Sequence, residues 1–295
     1  MMRTAFSDGL DQTLDVQPGG TLYIDLDRGS VEVTSHDARQ VRVEARATGW
    51  ATWAADFELG HSGNDVRLTG DIVGWLLWPL GPRIRVRAWV PREYSVDVQT
   101  RGGRIALSNL TGSIVAETSG GAIELVGATG SAELHTSGGS LHIEDVNGNL
   151  QAETSGGNVE IAGVSGEVLA GTSGGRIEIT RVTGRVEART SGGTIEVNDV
   201  AGPIEATTSG GNIVASFTGA PAGILETSGG GIEVSFSASA GADLDAETRG
   251  GRIDVAPPLS VRGTINPQHV VGAINGGGAS LSLRTSGGSI AVHAR

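Results

Sequence analysis

Apolar and polar residues alternate along most of this chain, and the alternation itself repeats. In the segment that begins at Thr172, TSGGRIEITRVTGRVEAR, apolar residues fall at positions 6, 8, 11, 15 and 17 counted from the threonine. The segments that begin at Thr136 and Thr190 are apolar at the same positions. A period of two within each half is typical of β-strands with one buried face, and not of helices. Each segment is therefore predicted to contain two short strands.

A four-residue motif, Thr-Ser/Arg-Gly-Gly, opens each segment and recurs mostly at intervals of 18 residues. Its copies begin at Thr100, Thr118, Thr136, Thr154, Thr172, Thr190, Thr208, Thr227, Thr248 and Thr285. Eighteen extended residues measure about 60 Å, enough for one coil that closes on itself, and stacked coils pair in parallel about 4.8 Å apart. One coil cannot bury its apolar face alone, but a stack can. The repeat predicts an all-β fold, a single-stranded parallel β-helix (β-solenoid) with 18-residue rungs.

The two ends of the chain are less regular than its middle. Residues 1–99 alternate in the same way but without the motif, so we predict one continuous solenoid with an irregular, Trp-bearing N-terminal part (1–99) and a regular part (100–295). The interval of 37 residues from Thr248 to Thr285 reads as two successive rungs, with 275–278 (NGGG) as a degenerate corner. The chain then stops on a repeat strand. Because no capping segment follows, this C-terminal rung is predicted to be open, so that either its own charges screen it or it stacks end to end on a second copy.

Two kinds of corner separate the strands, Ser-Gly-Gly and a single glycine at position 13 of the repeat. A chain that turns within two or three residues needs positive φ angles, so both corners are predicted to use glycine for that reason. The threonine at position 1 shares the parity of the apolar position 17. Its side chain is therefore predicted to point inward, with the hydroxyl bonded to backbone groups beside the corner.

Composition excludes several kinds of chemistry. The chain has 48 glycines in 295 residues and no cysteine, which excludes disulfides and thiolate catalysis. All 21 basic residues are arginine, which excludes P-loop and Schiff-base lysines. The net charge of −12 argues against nucleic acid and against an anionic membrane surface as partners. The first ten residues contain no apolar run and the longest apolar stretch is about half of a membrane span. These features predict a cytoplasmic protein, with association with the cell envelope as the alternative.

Columns of glutamate recur at the polar positions of the repeat. Position 7 carries Glu160, Glu178 and Glu196. Carboxylates stacked about 4.8 Å apart repel by roughly 1 kcal/mol per pair in water, so something must relieve them. Arg176, Arg185 and Arg189 lie near the most acidic region. The column is interpreted as a solvated outer face that blocks lateral aggregation; the alternative is a weak site for Ca²⁺ or a cationic ligand.

The segment 72–82 (IVGWLLWPLGP) departs most strongly from the repeat. Its large apolar residues are Trp75, Leu76, Leu77, Trp78 and Leu80. Two interpretations remain open. The segment either folds over the solenoid as a lid or N-terminal cap, or it forms an exposed patch that docks to a partner or makes weak contact with a membrane interface.

The sequence resembles the bacterial DUF4097 family, also called the putative-adhesin family. The resemblance rests on an opening strand at 20–24 (GTLYI), the segment 29–33 (GSVEV), the strand at 87–91 (RAWVP) and the serial TSGG units. It covers nearly the whole chain. It implies a right-handed β-helix loosely associated with the bacterial envelope, adhesion or envelope stress, and it supplies no catalytic residues.

These observations predict a non-catalytic scaffold for protein interaction or self-assembly, without catalytic residues, cofactor or metal site. A first alternative is a carbohydrate- or cation-binding surface protein that uses the outward glutamate columns. A second is a polysaccharide-active β-helix enzyme, which would need clustered carboxylates in a groove. The acidic residues recur by register instead, and the tight corners leave little loop from which a groove could be built.

Overall fold

In this computed structural model, residues 2–7, 9–49, 52–72, 82–256 and 259–295 are described, and they are β-structure and turns apart from a short 3-10 helix at Thr52–Ala54. The all-β prediction is confirmed. The chain divides into two units, residues 1–148 and 149–295. The predicted division at residue 99 into an irregular and a regular part stays a prediction.

The first unit contains fourteen described strands. They are β1 (Met2–Ser7), β2 (Gly9–Asp15), β3 (Thr21–Leu26), β4 (Ser30–His36), β5 (Gln40–Thr48), β6 (Ala55–Ser62), β7 (Asp65–Ile72), β8 (Arg83–Pro91), β9 (Ser95–Thr100), β10 (Ile105–Thr111), β11 (Ile114–Thr118), β12 (Ile123–Thr129), β13 (Ala132–Thr136) and β14 (Leu141–Asn147). They form two sheets, in the order β1-β6-β7-β3-β9-β11-β13 and β2-β5-β8-β4-β10-β12-β14.

Parallel rungs and antiparallel strands meet in the first unit. The parallel rungs are β3–β4, β7–β8, β9–β10, β11–β12 and β13–β14, and each gives one strand to each sheet. Parallel partners such as Ile105 and Ile123 are 18 residues apart. The rung β7–β8 stacks on the outer side of β3–β4, out of sequence order. Antiparallel strands then continue the first sheet with β6 and β1, and the second sheet with β5 and β2. The N-terminal part therefore covers the end of its own stack with hairpins.

The second unit contains sixteen described strands. They are β15 (Leu150–Thr154), β16 (Val159–Val164), β17 (Val168–Gly171), β18 (Ile177–Val182), β19 (Val186–Thr190), β20 (Ile195–Val200), β21 (Ile204–Thr208), β22 (Ile213–Phe217), β23 (Gly223–Thr227), β24 (Ile232–Phe236), β25 (Ala242–Thr248), β26 (Ile253–Val255), β27 (Leu259–Asn266), β28 (His269–Ile274), β29 (Ala279–Thr285) and β30 (Ile290–Ala294). The sheet orders are β15-β17-β19-β21-β23-β29-β25-β28-β27 and β16-β18-β20-β22-β24-β30-β26.

The C-terminal rung lies inside the second unit, not at its end. Strand β29 pairs in parallel with β23 on one side and β25 on the other, and β30 pairs with β24 and β26. In chain order, β25 and β26 come first, and the antiparallel β27–β28 hairpin follows beside β25. Strands β29 and β30 come last and lie between β23–β24 and β25–β26. The predictions that the C-terminal rung is open, and that 249–284 forms two successive rungs, are wrong. The same error removes the basis for end-to-end stacking through this rung.

The apolar positions of the repeat form the core, as predicted. In the rung of β18 and β19, Ile177, Ile179, Val182, Val186 and Ala188 are at most 1% exposed. Burial between β-strands of this kind stabilises by roughly 25 cal/mol per Å² of apolar surface. Each rung depends on its neighbours for that burial, so the stack, not the single coil, is the stable unit.

Most corner glycines serve close stacking and not positive φ. A Cβ atom at Gly193 would lie 2.5 Å from the carbonyl carbon of Gly175 in the preceding rung, and the φ angle of Gly193 is outside the left-handed region. The position-13 glycines Gly184 and Gly202 are also crowded without positive φ, whereas Gly112 combines crowding with a φ of 143°. The prediction of positive φ is therefore confirmed at position 13 for Gly112, Gly130 and Gly148, and is wrong for Gly184 and Gly202 and for most Ser-Gly-Gly corners.

Among the described non-glycine residues, all those with a left-handed φ except Asn275, in the turn after β28, stand at position 10 of the repeat, inside the strand. They are Asn109, Asp145, Arg181 and Asp199, each with φ 56°, and the rungs between carry Gly127 (71°) and Gly163 (75°). One left-handed residue reverses the side on which the next side chains point. Position 11 can therefore face the core although it is three residues from the inward position 8. Strand β18 shows this directly, since Ile177, Ile179 and Val182 are all buried.

Candidate functional site

The glutamate column of the second unit is real, and its members stand side by side. Glu160 on β16 is the direct partner of Glu178 on β18, which is the partner of Glu196 on β20. Arg176 bridges two rungs of this column: its Nη2 atom lies 3.3 Å from Oε2 of Glu178 and also donates to Glu196. The guanidinium thus occupies the place between carboxylates where a bound cation would relieve their repulsion.

A matching column lies on the other sheet of the same unit. Glu187 on β19 is the partner of Glu205 on β21. Arg185 lies 3.5 Å from Glu187 and 2.7 Å from Glu205, and Arg189 also pairs with Glu187. The three arginines expected to relieve the acidic columns therefore do so. All these side chains are 22–61% exposed, so the charge pattern faces solvent.

The threonine column is a hydrogen-bond ladder, as predicted. Thr190 Oγ1 donates to the carbonyl oxygen of Gly175 in the preceding rung at 3.1 Å and accepts from the backbone N–H of Gly193 at 3.3 Å. The same pair of bonds recurs at Thr172 and Thr208. The same hydrogen bonds connect the last rungs in their spatial order and not in sequence order. The rung that begins at Thr285 lies between the other two, so Thr285 donates to Gly230 on one side and Gly288 accepts from Thr248 on the other. These hydroxyls hold the corner together and are not free to react.

Two titratable groups of the first unit, Tyr94 and Asp71, have pKa values that are raised mainly by burial. Burial raises the pKa of Tyr94 to about 12, and its hydroxyl donates to the backbone oxygen of Asn64, which indicates a structural role. Burial is also the largest cause of the raised pKa of Asp71, followed by the carboxylates of Asp27, Asp25 and Asp56. Within the described ranges, no group of three His, Asp or Glu side chains is arranged to hold a metal ion.

The predicted docking patch at Trp75, Leu76, Leu77, Trp78 and Leu80 lies outside the described residues, and its two interpretations stay predictions. In the nearby 3-10 helix, the side chain of Trp53 is 69% exposed. No helix in the described ranges is long and apolar enough to cross a membrane.

Sequence reasoning missed one charged feature altogether. Strand β8 reads Arg83-Ile84-Arg85-Val86-Arg87, with the three arginines exposed and the two apolar residues buried. The strict alternation was a readable signal, but its meaning depends on which strands lie beside β8. Those neighbours, β5 and β4, come from distant parts of the chain and could not be assigned from spacing.

Comparisons with known proteins found a matching protein family and similar solved structures. A family model described as Toastrack DUF4097 matches residues 83–293. Among solved structures, the chain is similar to a putative cell adhesion protein from Clostridium sporogenes, with 10% identity, 98% of this chain and 100% of that chain covered, and a TM-score of 0.23. It is also similar to a putative adhesin from Bacteroides fragilis, with 10% identity, 98% of each chain covered and a TM-score of 0.32. No curated protein matches the sequence.

Proposed function

Because the chain belongs to the Toastrack DUF4097 family and holds its outward charges in register, we propose that it is a non-catalytic scaffold for protein interaction or self-assembly. The carrying observation is the pair of cross-rung bridges made by Arg176 and Arg185. Each guanidinium contacts carboxylates on two successive rungs. The spacing of charge along the face is therefore set by the backbone ladder and not by mobile loops.

A face of this kind favours recognition of another protein. Side chains that are already ordered lose little conformational entropy when a partner binds. Complementary charges steer the encounter and select the register of docking more than they add affinity. In the regular rungs the outward carboxylates recur by register, as Glu178 with Glu196 and Glu187 with Glu205, which supports a scaffold over a polysaccharide-active enzyme.

The alternative of a cation- or carbohydrate-binding face at Glu160, Glu178 and Glu196 is supported less well. Arg176 already supplies a positive charge to two members of that column. A cation would have to displace the guanidinium or bind beside it against its repulsion. Replacing Glu178 and Glu196 by glutamine should abolish such binding if the alternative is right.

The scaffold proposal is tested by photo-cross-linking in the producing cells. A photoreactive phenylalanine replaces Thr180, beside Glu178 on one sheet, and in a matched variant it replaces Thr207, beside Glu205 on the other sheet, so that both bridges are kept. We expect one defined protein, or a second copy of this chain, to be captured from one face and not from the other. Identical capture from both faces, or no capture above the unirradiated sample, would refute the proposal.

The apolar segment with Trp75 and Trp78 is a separate predicted docking site. Alanine at both positions should abolish capture while the chain keeps its β-sheet circular dichroism spectrum, if that segment is the one that docks. Retained capture would leave the charged faces as the binding surface and would exclude the tryptophans from it.

A further inference from the structure

A row of arginines crosses the outer face of the second sheet of the first unit. Arg46 on β5 is the direct antiparallel partner of Arg85 on β8, and Arg85 is the parallel partner of Ser30 on β4. Arg104 continues this row at the start of the next strand, since Val31 pairs with Ile105 and the Val31 N–H bonds the Arg104 carbonyl. The arginine row, defined as Arg46, Arg85 and Arg104, thus spans four strands, or about 14 Å. It contains no carboxylate.

The row is electrostatically unfavourable in the protein alone. Like charges directly opposite each other on paired strands repel. Arg46 is 74% exposed and reaches Glu44 only at 4.0 Å, and no carboxylate of the described residues lies within ion-pair distance of Arg85. Arg104 pairs with Glu124. Two facing guanidiniums are therefore weakly compensated, although the chain carries 33 acidic residues against 21 basic ones.

The surface beside the row is concave. A groove of about 540 Å³ is lined by Arg85, Arg87 and Arg104, by the carboxylates Glu32 and Glu124, and by small and apolar residues of β4, β8, β10 and β12. Arg87 lies 3.3 Å from Glu32 and Arg104 pairs with Glu124, so Arg85 is the arginine of this lining that has no carboxylate partner among the described residues. The groove opens because Ala106 stands between Glu32 and Glu124, at a position that carries glutamate on both neighbouring strands. A smaller hollow of about 70 Å³ adjoins it and shares Arg85 and Arg87. Glu44 and Arg46 complete the lining of the smaller hollow, so Arg85 borders both hollows and Arg46 borders the second.

We propose that the arginine row and its groove bind a linear acidic polysaccharide through carboxylate or sulfate groups. Guanidiniums bind both kinds of oxyanion in a bidentate manner. Cations repeated along about 14 Å of one sheet face match a polymer whose anionic groups recur along its length. The overall charge of −12 does not forbid this, because charges beyond a Debye length of about 8 Å are largely screened.

Single-stranded nucleic acid fits this face less well. Proteins that bind it combine positive charge with aromatic side chains on which bases stack. Trp89 is the outward aromatic residue of β8 next to the groove, and the guanidinium of Arg42 already lies over its ring, 5.3 Å from the centroid. The indole face on this side is therefore taken by a neighbouring arginine.

The test is a binding titration of the full chain with fluorescent oligogalacturonate and, separately, with a fluorescent sulfated oligosaccharide, read by anisotropy. We expect at least one to bind, and we expect Arg46→Gln with Arg85→Gln to weaken binding at least tenfold. The matched control is Arg249→Gln with Arg252→Gln, which removes the same charge from exposed positions of the second unit. No binding to either probe, equal weakening in both variants, or equally tight binding to single-stranded DNA or to anionic vesicles would overturn the proposal.

Thermal unfolding supplies an independent readout. Without ligand, Arg85→Gln should unfold at or above the temperature of the natural chain, because a repulsive pair is removed. With saturating oligosaccharide the natural chain should gain stability and the variant should not. A free variant that unfolds at a lower temperature would show that Arg85 has a structural role, and would overturn the assignment of the row to a ligand.

Discussion

The second glycine of the corner is the position at which one methyl group should do the most damage. In Gly193→Ala the new Cβ would lie 2.5 Å from the carbonyl carbon of Gly175, 3.0 Å from the amide nitrogen of Arg176, and closer still to the Gly175 oxygen. All three atoms are backbone of the preceding rung, so no side chain can rotate away. The adjacent Gly192 is the control, because its Cβ would meet nothing closer than the Ser173 oxygen at 3.9 Å.

The expected loss of stability follows from the backbone shift that the new methyl group requires. To bring the alanine Cβ to an ordinary van der Waals distance from Gly175, the two rungs must separate locally by roughly 1 Å or more, which breaks the nearest hydrogen bonds between them. The threonine bonds to Gly175 O and Gly193 N, at 3.1 and 3.3 Å, lie at the same point. Three or four bonds at about 1 kcal/mol each predict a loss of about 3–4 kcal/mol for Gly193→Ala. Gly192→Ala should change stability by less than about 1 kcal/mol, and in the stabilising direction if its backbone suits alanine.

Urea unfolding followed by circular dichroism measures this difference, with native-state hydrogen exchange of the β18 and β20 amides as the local readout. Hydrogen exchange is needed because a stacked-rung protein can open in parts and depart from two-state behaviour. Equal effects of the two alanines would refute the stacking argument. So would a Gly193→Ala variant whose amides near the corner keep their protection.

Further predictions concern the threonine ladder, the left-handed residues at position 10 and the raised pKa of Asp71. Thr190→Val should cost about 1–3 kcal/mol because it leaves two buried backbone groups without partners, whereas Thr207→Val, at an exposed position, should be near neutral; equal losses in urea unfolding would contradict the ladder. Arg181→Asn should stabilise by about 0.5–1 kcal/mol, since its φ of 56° suits asparagine better; a loss of stability would show that the arginine side chain matters more than its backbone. The pKa of Asp71 is raised on folding, so its contribution to stability improves as pH falls, and Asp71→Asn should raise the melting temperature at pH 7. That gain should disappear below the unfolded value of about 3.9, and a gain that persists there would exclude charge as its cause.

The regular part of the fold could be predicted because its determinants are local. The 18-residue spacing, the apolar positions and the parity of the threonine each lie within one rung, and the pairing of Glu178 with Glu196 follows from that spacing. The bridging role of Arg176 was also within reach, since it lies two residues from Glu178 and one rung from Glu196.

The order of the last rungs could not be predicted, because the spacing of the Thr-Ser/Arg-Gly-Gly motifs does not determine which rungs are neighbours in the stack. A gap of 37 residues from Thr248 to Thr285 fits two successive rungs and fits equally a hairpin followed by a rung that returns to an earlier place. The choice depends on contacts between distant segments, such as β28 on β25. The left-handed residues at position 10 were missed for a different reason. In the other rungs that begin between Thr100 and Thr190, position 10 carries Asn, Asp or Gly, the residues that adopt a left-handed φ most readily, but the rung used to define the repeat has Arg181 at that position.

The arginine row was beyond sequence reasoning for the same long-range reason. Arg46, Arg85 and Arg104 are separated by 39 and 19 residues, and no repeat connects the three. They meet because β5 turns back antiparallel onto β8 while β4 and β10 follow in parallel. The part of the chain with the least regular sequence therefore carries the most distinctive surface.

The central claim is that rung order and register fix the position of every outward charge, and engineered disulfides test it most directly. The chain has no cysteine, so any cross-link is unambiguous. Ala291 on β30 is the partner of Glu233 on β24 and of Asp254 on β26. Cysteines at 233 and 291, or at 254 and 291, should form a disulfide, whereas cysteines at 233 and 254 should not, because two strand spacings of about 4.8 Å exceed the roughly 7 Å limit for bridged Cα atoms. A disulfide between 233 and 254, with none at 291, would mean that the rungs stack in sequence order and would contradict the account.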